Sequence, residues 1–240
     1  MARVNRGFWS STRADYETPQ PLFDALDRVF QFGLDVCASE HNTKVPANFI
    51  TKEEDGLATD WATRFAADTV MRHAWMNPEY GSAVPLWTAQ AVEQAHKGVA
   101  TVALLGSRTD AGWFHDDVAV ADWVLFLKGR IKFLLPCTHC GTSTAKRRRP
   151  SLDMIASLDG AHPGFADAHN LWGKGTLPVC DPCAKANLSS WHKKSGNSPA
   201  MGSMVVGWGF EQHRVQMLPA TSLYSLGVLV QPRGWVVHNG

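Results

Sequence analysis

The stretch Ala74-Trp75-Met76-Asn77-Pro78-Glu79-Tyr80-Gly81 constrains the fold more than any other part of the chain. A short apolar run that stops at a polar residue, a proline and an aromatic builds a rigid corner at the end of a buried strand. Open α/β sheets bind their ligands at such strand ends. The neighbouring segments are of the same kind. Apolar residues at 22, 23, 26, 29 and 30 fit one face of a helix, with Thr18 as its cap and proline in its first turn. Phe32 to Ala38 reads as a short buried strand with Asp35 in its middle. Leu86 to Lys97 reads as a compact helix, and Val99 to Leu105 as a strand covered on both faces. Trp123 to Leu127 and Ile131 to Leu134 read as two strands joined by Lys128-Gly129-Arg130. This alternation predicts an α/β protein with a mainly parallel sheet.

At Pro136 the texture of the sequence changes. From Cys137 to Asn197 long apolar runs give way to Gly, Pro, Ser, His and Lys/Arg, and strand-forming residues return between Met201 and Phe210. The stretch 137–197 therefore reads as a small module inserted into a main domain of 15–136 and 198–240, with 1–14 as a flexible arm. The net charge is +1, yet 137–200 holds eight Lys/Arg against four Asp/Glu, which leaves −3 for the remainder. No apolar run reaches the ~18 residues a membrane span needs, and the N-terminus lacks the apolar stretch of a secretory signal. The expected location is cytoplasmic.

Four of the five cysteines form two Cys-x-x-Cys pairs, Cys137/Cys140 and Cys180/Cys183. In a reducing compartment such pairs are thiolate ligands rather than disulfides. Each turn places two thiolates on one metal, and four make the tetrahedral site that suits zinc. A closed four-thiolate site has no open position, so the ion is expected to be structural. A redox pair, or His139 or His192 in place of one cysteine, would use the same residues differently.

Taken in order, Glu17-Thr18-Pro19, Phe32 to Ala38, Glu54-Asp55-Gly56-Leu57 followed by Trp61, and Trp75 to Gly81 resemble the bacteriophage DNA N6-adenine methyltransferase family, the phage Dam type. Leu104 to Asp110 with Trp113-Phe114-His115, then Phe126 to Phe133, and finally Ser198 to Val206 continue the resemblance, which covers roughly 15–136 and 198–210. Two departures stand out. Glu79 occupies the place of the second proline in the family's Asn-Pro-Pro-Tyr corner, and the Cys-rich module interrupts the pattern where the next strand should follow.

The resemblance implies a Rossmann-like, doubly wound methyltransferase dependent on S-adenosylmethionine, with a small zinc-binding domain inserted. Its substrate would be adenine N6 in double-stranded DNA, in a bacterial host's cytoplasm if a phage encodes it. Asn77, Pro78, Glu79 and Tyr80 would form the catalytic corner. The Asn77 side-chain carbonyl and the Pro78 backbone carbonyl can accept the N6 hydrogens and stabilise the charge that develops on the nitrogen. Tyr80 offers a face on which a flipped base stacks. An exocyclic amine needs no cysteine nucleophile, so Cys37 reads as a buried structural thiol. The family pattern assigns Thr18, Pro19, Asp35 and Asp55 to the cofactor. Arg108 is a DNA contact in this reading, although a local pair with Asp110 accounts for it equally. Lys146, Arg147, Arg148 and Arg149, placed on a loop between the knuckles, suit phosphate contacts; a solvated charge run is the ordinary alternative. A binding module that keeps the fold without activity, and methylation of cytosine N4 or of RNA, are the competing functions.

Overall fold

The computed structural model describes residues 17–40, 42–137, 140, 143–144, 146–168, 170–172, 175–186, 191–196, 202–210 and 226–230. The expected arm at 1–14 and the tail segment Trp235-Val236-Val237 lie outside them. The chain divides into two compact units, one of Gln20–Arg130 with Ala200–Gly240 and one of Met1–Pro19 with Ile131–Pro199. The first unit begins with α1 (Gln20–Phe30), β1 (Leu34–Asp35), β2 (His73–Met76), α2 (Val84–His96), β3 (Ala100–Gly106) and β4 (Trp123–Leu127). The second contributes β5 (Leu135–Pro136), β6 (Ser143–Thr144), β7 (Lys146–Pro150), α3 (Leu152–Ala161), α4 (Phe165–Ala168), β8 (Leu177–Pro178), α5 (Asp181–Ala186) and β9 (Trp191–Gly196). The chain then returns to the first unit with β10 (Ser203–Trp208) and β11 (Gly227–Val230).

Six strands make one sheet in the order β1-β2-β3-β10-β4-β11. β1, β2 and β3 pair in parallel, whereas β10 runs antiparallel to both β3 and β4, and β11 antiparallel to β4. The first four strands share a direction. Parallel pairing is nevertheless confined to the β1–β3 half, because β10 separates β3 from β4.

Both faces of this sheet are covered. Ala74, Met76, Ala103, Leu105, Val124, Met204 and Val206 join Trp61 and the α2 residues Val84 and Ala91 in one core. Trp75 and Trp123 contribute to an aromatic cluster with α1. Phe23 meets Trp75 edge-on at 5.5 Å, and Phe30 stacks on Trp123 at 5.2 Å between centroids. The apolar spacing of α1 explains its place, since Phe23, Leu26 and Phe30 are its buried residues. The helix stops at Gln31, whose φ is +51°, and Asp27 then accepts from the Phe32 amide at 2.8 Å. At its start the expected cap does not form. Thr18 is 2% exposed and its hydroxyl makes no hydrogen bond among the described residues, so the helix begins on Gln20 and Pro21 without it.

The second expected strand of the 123–134 pair is also absent. Both edges of β4 are already taken, by β10 and by β11, so Ile131–Leu134 has no partner there. Leu134 instead exchanges two backbone hydrogen bonds with Glu17, at 3.0 and 3.1 Å.

Gly207 in β10 is required by packing. A Cβ at this position would lie 2.1 Å from Cε2 of Trp123. The indole has no room to yield, since it is fully buried against Phe30 and Phe210. Gly207→Ala is expected to cost about 1–3 kcal/mol through overpacking. Denaturant unfolding would read this as a lower midpoint at unchanged slope, and a midpoint equal to wild type would show that the cluster relaxes freely.

Candidate functional site

Parallel register brings three strand ends to one edge of the sheet. Asp35 lies beside Trp75, and Met76 beside Ala103. Residues leaving β1, β2 and β3 therefore emerge next to one another: Val36 and Cys37, then Asn77 to Tyr80, then Ser107 to Asp110. The Val36 amide donates to the Trp75 carbonyl at 3.0 Å and continues the ladder to this edge.

The corner is held from several sides. Pro78 is buried, Asn77 and Tyr80 are half-buried, and Glu79 is exposed. The side-chain oxygen of Asn77 is shielded from solvent, and its backbone N–H faces the Cys37 sulfur. Burial, and next the Asp35 charge, push the Cys37 thiol well above its ordinary range. Cys37 is half-buried, whereas the sequence reading has it buried, and its sulfur lies behind the Asn77 backbone. The Tyr80 hydroxyl donates to the Leu104 carbonyl at 3.2 Å, and its burial raises its pKa strongly. The ring is thereby pinned at its polar tip to β3. Glu79 meets Lys52 at 3.8 Å, with both side chains more than half exposed; a pair of this kind contributes under about 1 kcal/mol.

Asp35 is 3% exposed. Its carboxylate accepts from the Lys44 amide at 2.9 Å and the Cys37 amide at 3.5 Å, which closes the loop between them. Burial raises its pKa to about 6, against the lowering effect of those amides and of the Lys44 charge. Asp55 is exposed with φ +55°, and its carboxylate accepts from the Leu57 amide at 3.0 Å in a local turn. The turn sits against the end of β1, since a Cβ on Gly56 would fall 2.3 Å from the Val36 carbonyl oxygen. Asp35, Asp55 and Asn77 therefore share one edge. Thr18 and Pro19 group by their contacts with the other unit.

In that unit the sulfur atoms of Cys137, Cys140, Cys180 and Cys183 lie within 4.8 Å of one another. Cys140 and Cys180 are 3.6 Å apart, too far for a disulfide and close to the ~3.8 Å edge of a tetrahedron with 2.3 Å zinc–sulfur bonds. The Cys180 amide donates to Cys137 at 3.4 Å. Contact with Cys180, then with Cys140, pushes the Cys183 thiol up to about 12. A divalent cation reverses such a shift by drawing off the protons, so the donor set fits a metal. The cysteines join a small apolar core with Ile155, Leu171, Leu177 and Val179.

Residues 8–157 match the family model described as DNA N-6-adenine-methyltransferase (Dam), which spans more than half of the chain. The chain belongs to this family. One similar protein is the DNA N-6-adenine-methyltransferase of Haemophilus phage HP1 (strain HP1c1), 29% identical over 169 residues that cover 68% of this chain and 91% of the phage protein. Membership in the Dam family makes this an adenine-specific DNA methyltransferase. The matched span contains the Asn77 corner, both loop aspartates and the first Cys-x-x-Cys pair; the second pair and β10 lie beyond it.

Of the cations assigned to DNA from the sequence of this Dam-family enzyme, Arg108 makes the local pair that was its alternative reading, whereas the run at 146–149 lies in other surroundings than expected. Arg108 is closed on Asp110 by two hydrogen bonds of 3.0 and 3.1 Å. Lys146 to Arg149 is not a loop but most of β7, the middle strand of a three-stranded sheet in the order β8-β7-β9. Lys146 and Arg148 both pair with Asp181, the latter at 2.6 Å, and Arg147 binds the hydroxyl and carbonyl of Thr176. Lys146 and Arg148 therefore turn to Asp181 and Arg147 to Thr176, so these three charges do not act as one patch. Lys52, Lys44 and Asp181 were not singled out in the sequence. Their partners Glu79, Asp35 and Lys146 are nine or more residues away, and no local pattern joins them.

The buried Asp35 carboxyl makes stability depend on pH. Its folded pKa of about 6 exceeds the ordinary 3.8, so the folded state binds this proton more tightly than the unfolded chain does. The stabilisation is complete below about pH 4 and is lost as the pH rises through about 6, a change of about 3 kcal/mol. Asp35→Asn lacks this proton. The unfolding free energy of wild type minus that of the variant should therefore fall between pH 4 and 7 in denaturant titrations, and a pH-independent difference would contradict the assignment.

Proposed function

We propose that this enzyme transfers a methyl group from S-adenosylmethionine to N6 of an adenine turned out of double-stranded DNA into the Asn77-Pro78-Glu79-Tyr80 corner. The observation that carries the reading is the corner's position at the end of β2, between the parallel strand ends of β1 and β3, where open α/β sheets bind ligands. Helices packed on both faces of the sheet support a Rossmann-like, doubly wound description of the main domain.

Adenine N6 is a weak nucleophile because its lone pair is delocalised into the ring. The Asn77 side-chain oxygen and the Pro78 carbonyl accept its two hydrogens in this reading. The nitrogen can then become pyramidal, the positive charge that develops on it meets oriented dipoles, and one of its two hydrogens would leave as a proton once the nitrogen carried the methyl. The half-exposed Tyr80 ring, fixed through its hydroxyl to Leu104, serves as the stacking surface for the flipped base. Glu79, paired with Lys52, lies at the rim with its charge offset. S-adenosylmethionine, when bound, supplies an electrophilic methyl on a sulfonium; orientation is left to the protein. The chemistry of the donor set fits that group, since carboxylates on neighbouring loops suit an ammonium and ribose hydroxyls. Asp55 is the exposed candidate, and Asp35 acts through the loop it closes. Thr18 and Pro19 enter through the family pattern, and the buried Thr18 hydroxyl, without a hydrogen bond among the described residues, suits a ligand contact. The bacterial host's cytoplasm is the place of action in this reading.

Labelled methyl transfer to unmethylated duplex DNA, followed by nucleoside mass spectrometry, tests the proposal. Wild type should yield N6-methyladenine, and Asn77→Ala should be slower by about 10²–10³-fold while binding the cofactor as before. Product on cytosine, or equal rates for the two proteins, would overturn the corner assignment.

The reading also gives the module at 137–197 a structural zinc held by Cys137, Cys140, Cys180 and Cys183. Metal analysis should then find about one zinc per chain, with a chelator loosening the module to proteolysis. A metal-free protein with a protease-resistant module would remove the ion from the reading.

A further inference from the structure

Among the described cations, those expected to meet DNA are already engaged. Arg108 is paired with Asp110, Lys146 and Arg148 with Asp181, and Arg147 with Thr176. Lys52 is paired with Glu79, and Lys44 binds Gln20 at 3.0 Å. Arg28 and Arg72 precede β1 and β2 and so lie toward the opposite edge of the sheet. Within the unit of the six-stranded sheet, two cations at the ligand-binding edge are left, Lys128 and Arg130. Both are exposed, and among the described residues neither side chain makes a hydrogen bond or ion pair.

The strand register fixes their place. Gly106 pairs with Ser203, and Leu105 and Phe126 both pair with Met204. The ends of β3 and β4 are therefore level, two strand spacings apart, and Lys128 leaves β4 on the same edge as Asn77. The corner is three strands away, about 14 Å across the sheet at the usual spacing. Lys128 also stands three residues, about 10 Å, further along the strand direction than Asn77; the two are thus about 17 Å apart, the rise of about five base pairs. The turn is rigidly based. Gly129 has φ +81°, the Lys128 amide donates to the Leu226 carbonyl at 2.8 Å, and β11 starts at Gly227 against Leu127.

We propose that the turn Lys128-Gly129-Arg130 binds the phosphate backbone of the substrate DNA a few base pairs from the target adenine. This rests on the DNA-methyltransferase reading of the edge. Two exposed ammonium and guanidinium groups on a short turn suit two phosphates; they provide affinity and register without reading bases.

The test is fluorescence anisotropy of the full-length protein on a labelled duplex across a salt series, with Lys128→Gln/Arg130→Gln beside wild type. Lys146→Gln/Arg148→Gln serves as a second variant. Loss of two phosphate contacts should flatten the slope of log affinity against log salt by about 1.8 in the turn variant and leave the β7 variant near wild type. The S-adenosylmethionine affinity and melting temperature of the turn variant should stay unchanged. A wild-type slope in the turn variant overturns the proposal, as does a loss of slope confined to the β7 variant. A wild type with no salt-dependent affinity for duplex DNA would instead remove the underlying substrate reading.

Discussion

The parallel register of β1, β2 and β3 is the constraint on which the rest of the structure depends. Because Asp35, Met76 and Ala103 fall where they do, three chain segments with no sequence proximity leave the sheet at the same edge. A slip of one residue would exchange the two faces of β2. Trp75 would then leave the aromatic cluster, and Asn77 would no longer follow the strand at the level of the Cys37 sulfur. The site's polar groups need this register too. The Tyr80 hydroxyl is buried and finds its acceptor only because β3 extends past the end of β2, with Leu104 in reach.

Charge is distributed in a way that composition alone conceals. The inserted segment carries most of the excess positive charge, yet its basic strand faces Asp181 and Thr176. Asp181 lies between Cys180 and Cys183, so the pairs it makes with Lys146 and Arg148 tie β7 to the second knuckle.

Much of the architecture was legible in the sequence. The apolar run of β3, the spacing of Phe23, Leu26 and Phe30, and the proline corner after Met76 each follow from local rules about period and turn chemistry. The Cys-x-x-Cys pairs likewise signalled that four thiols would converge. What could not be read depended on partners distant in sequence. Ile131–Leu134 has strand composition but no free edge on which to pair, because β11 arrives from nearly a hundred residues downstream. Lys146 to Arg149 looks like a solvated run until Asp181 is brought beside it. Thr18 has the chemistry of a cap but a position two residues before the helix. Asp35 was read as an acid in the middle of a buried strand, whereas its partner, the Lys44 amide, carries no side-chain signal.

The placement of β10 has a consequence for how the chain folds. β4 and β10 are adjacent antiparallel strands, the arrangement a short hairpin normally makes, yet roughly 75 residues separate Leu127 from Ser203. Closing so long a loop costs only about 3 kcal/mol more than closing a tight turn, so the native state tolerates it. The folding route is affected more, since strand pairing between distant segments is slow. The β1–β3 half can assemble from segments made early, but the centre of the sheet stays open until the whole insertion has been synthesised. If the four thiols need their metal before that insertion becomes compact, the supply of the ion to the nascent chain sets how long the unpaired edges of β3 and β4 stand exposed.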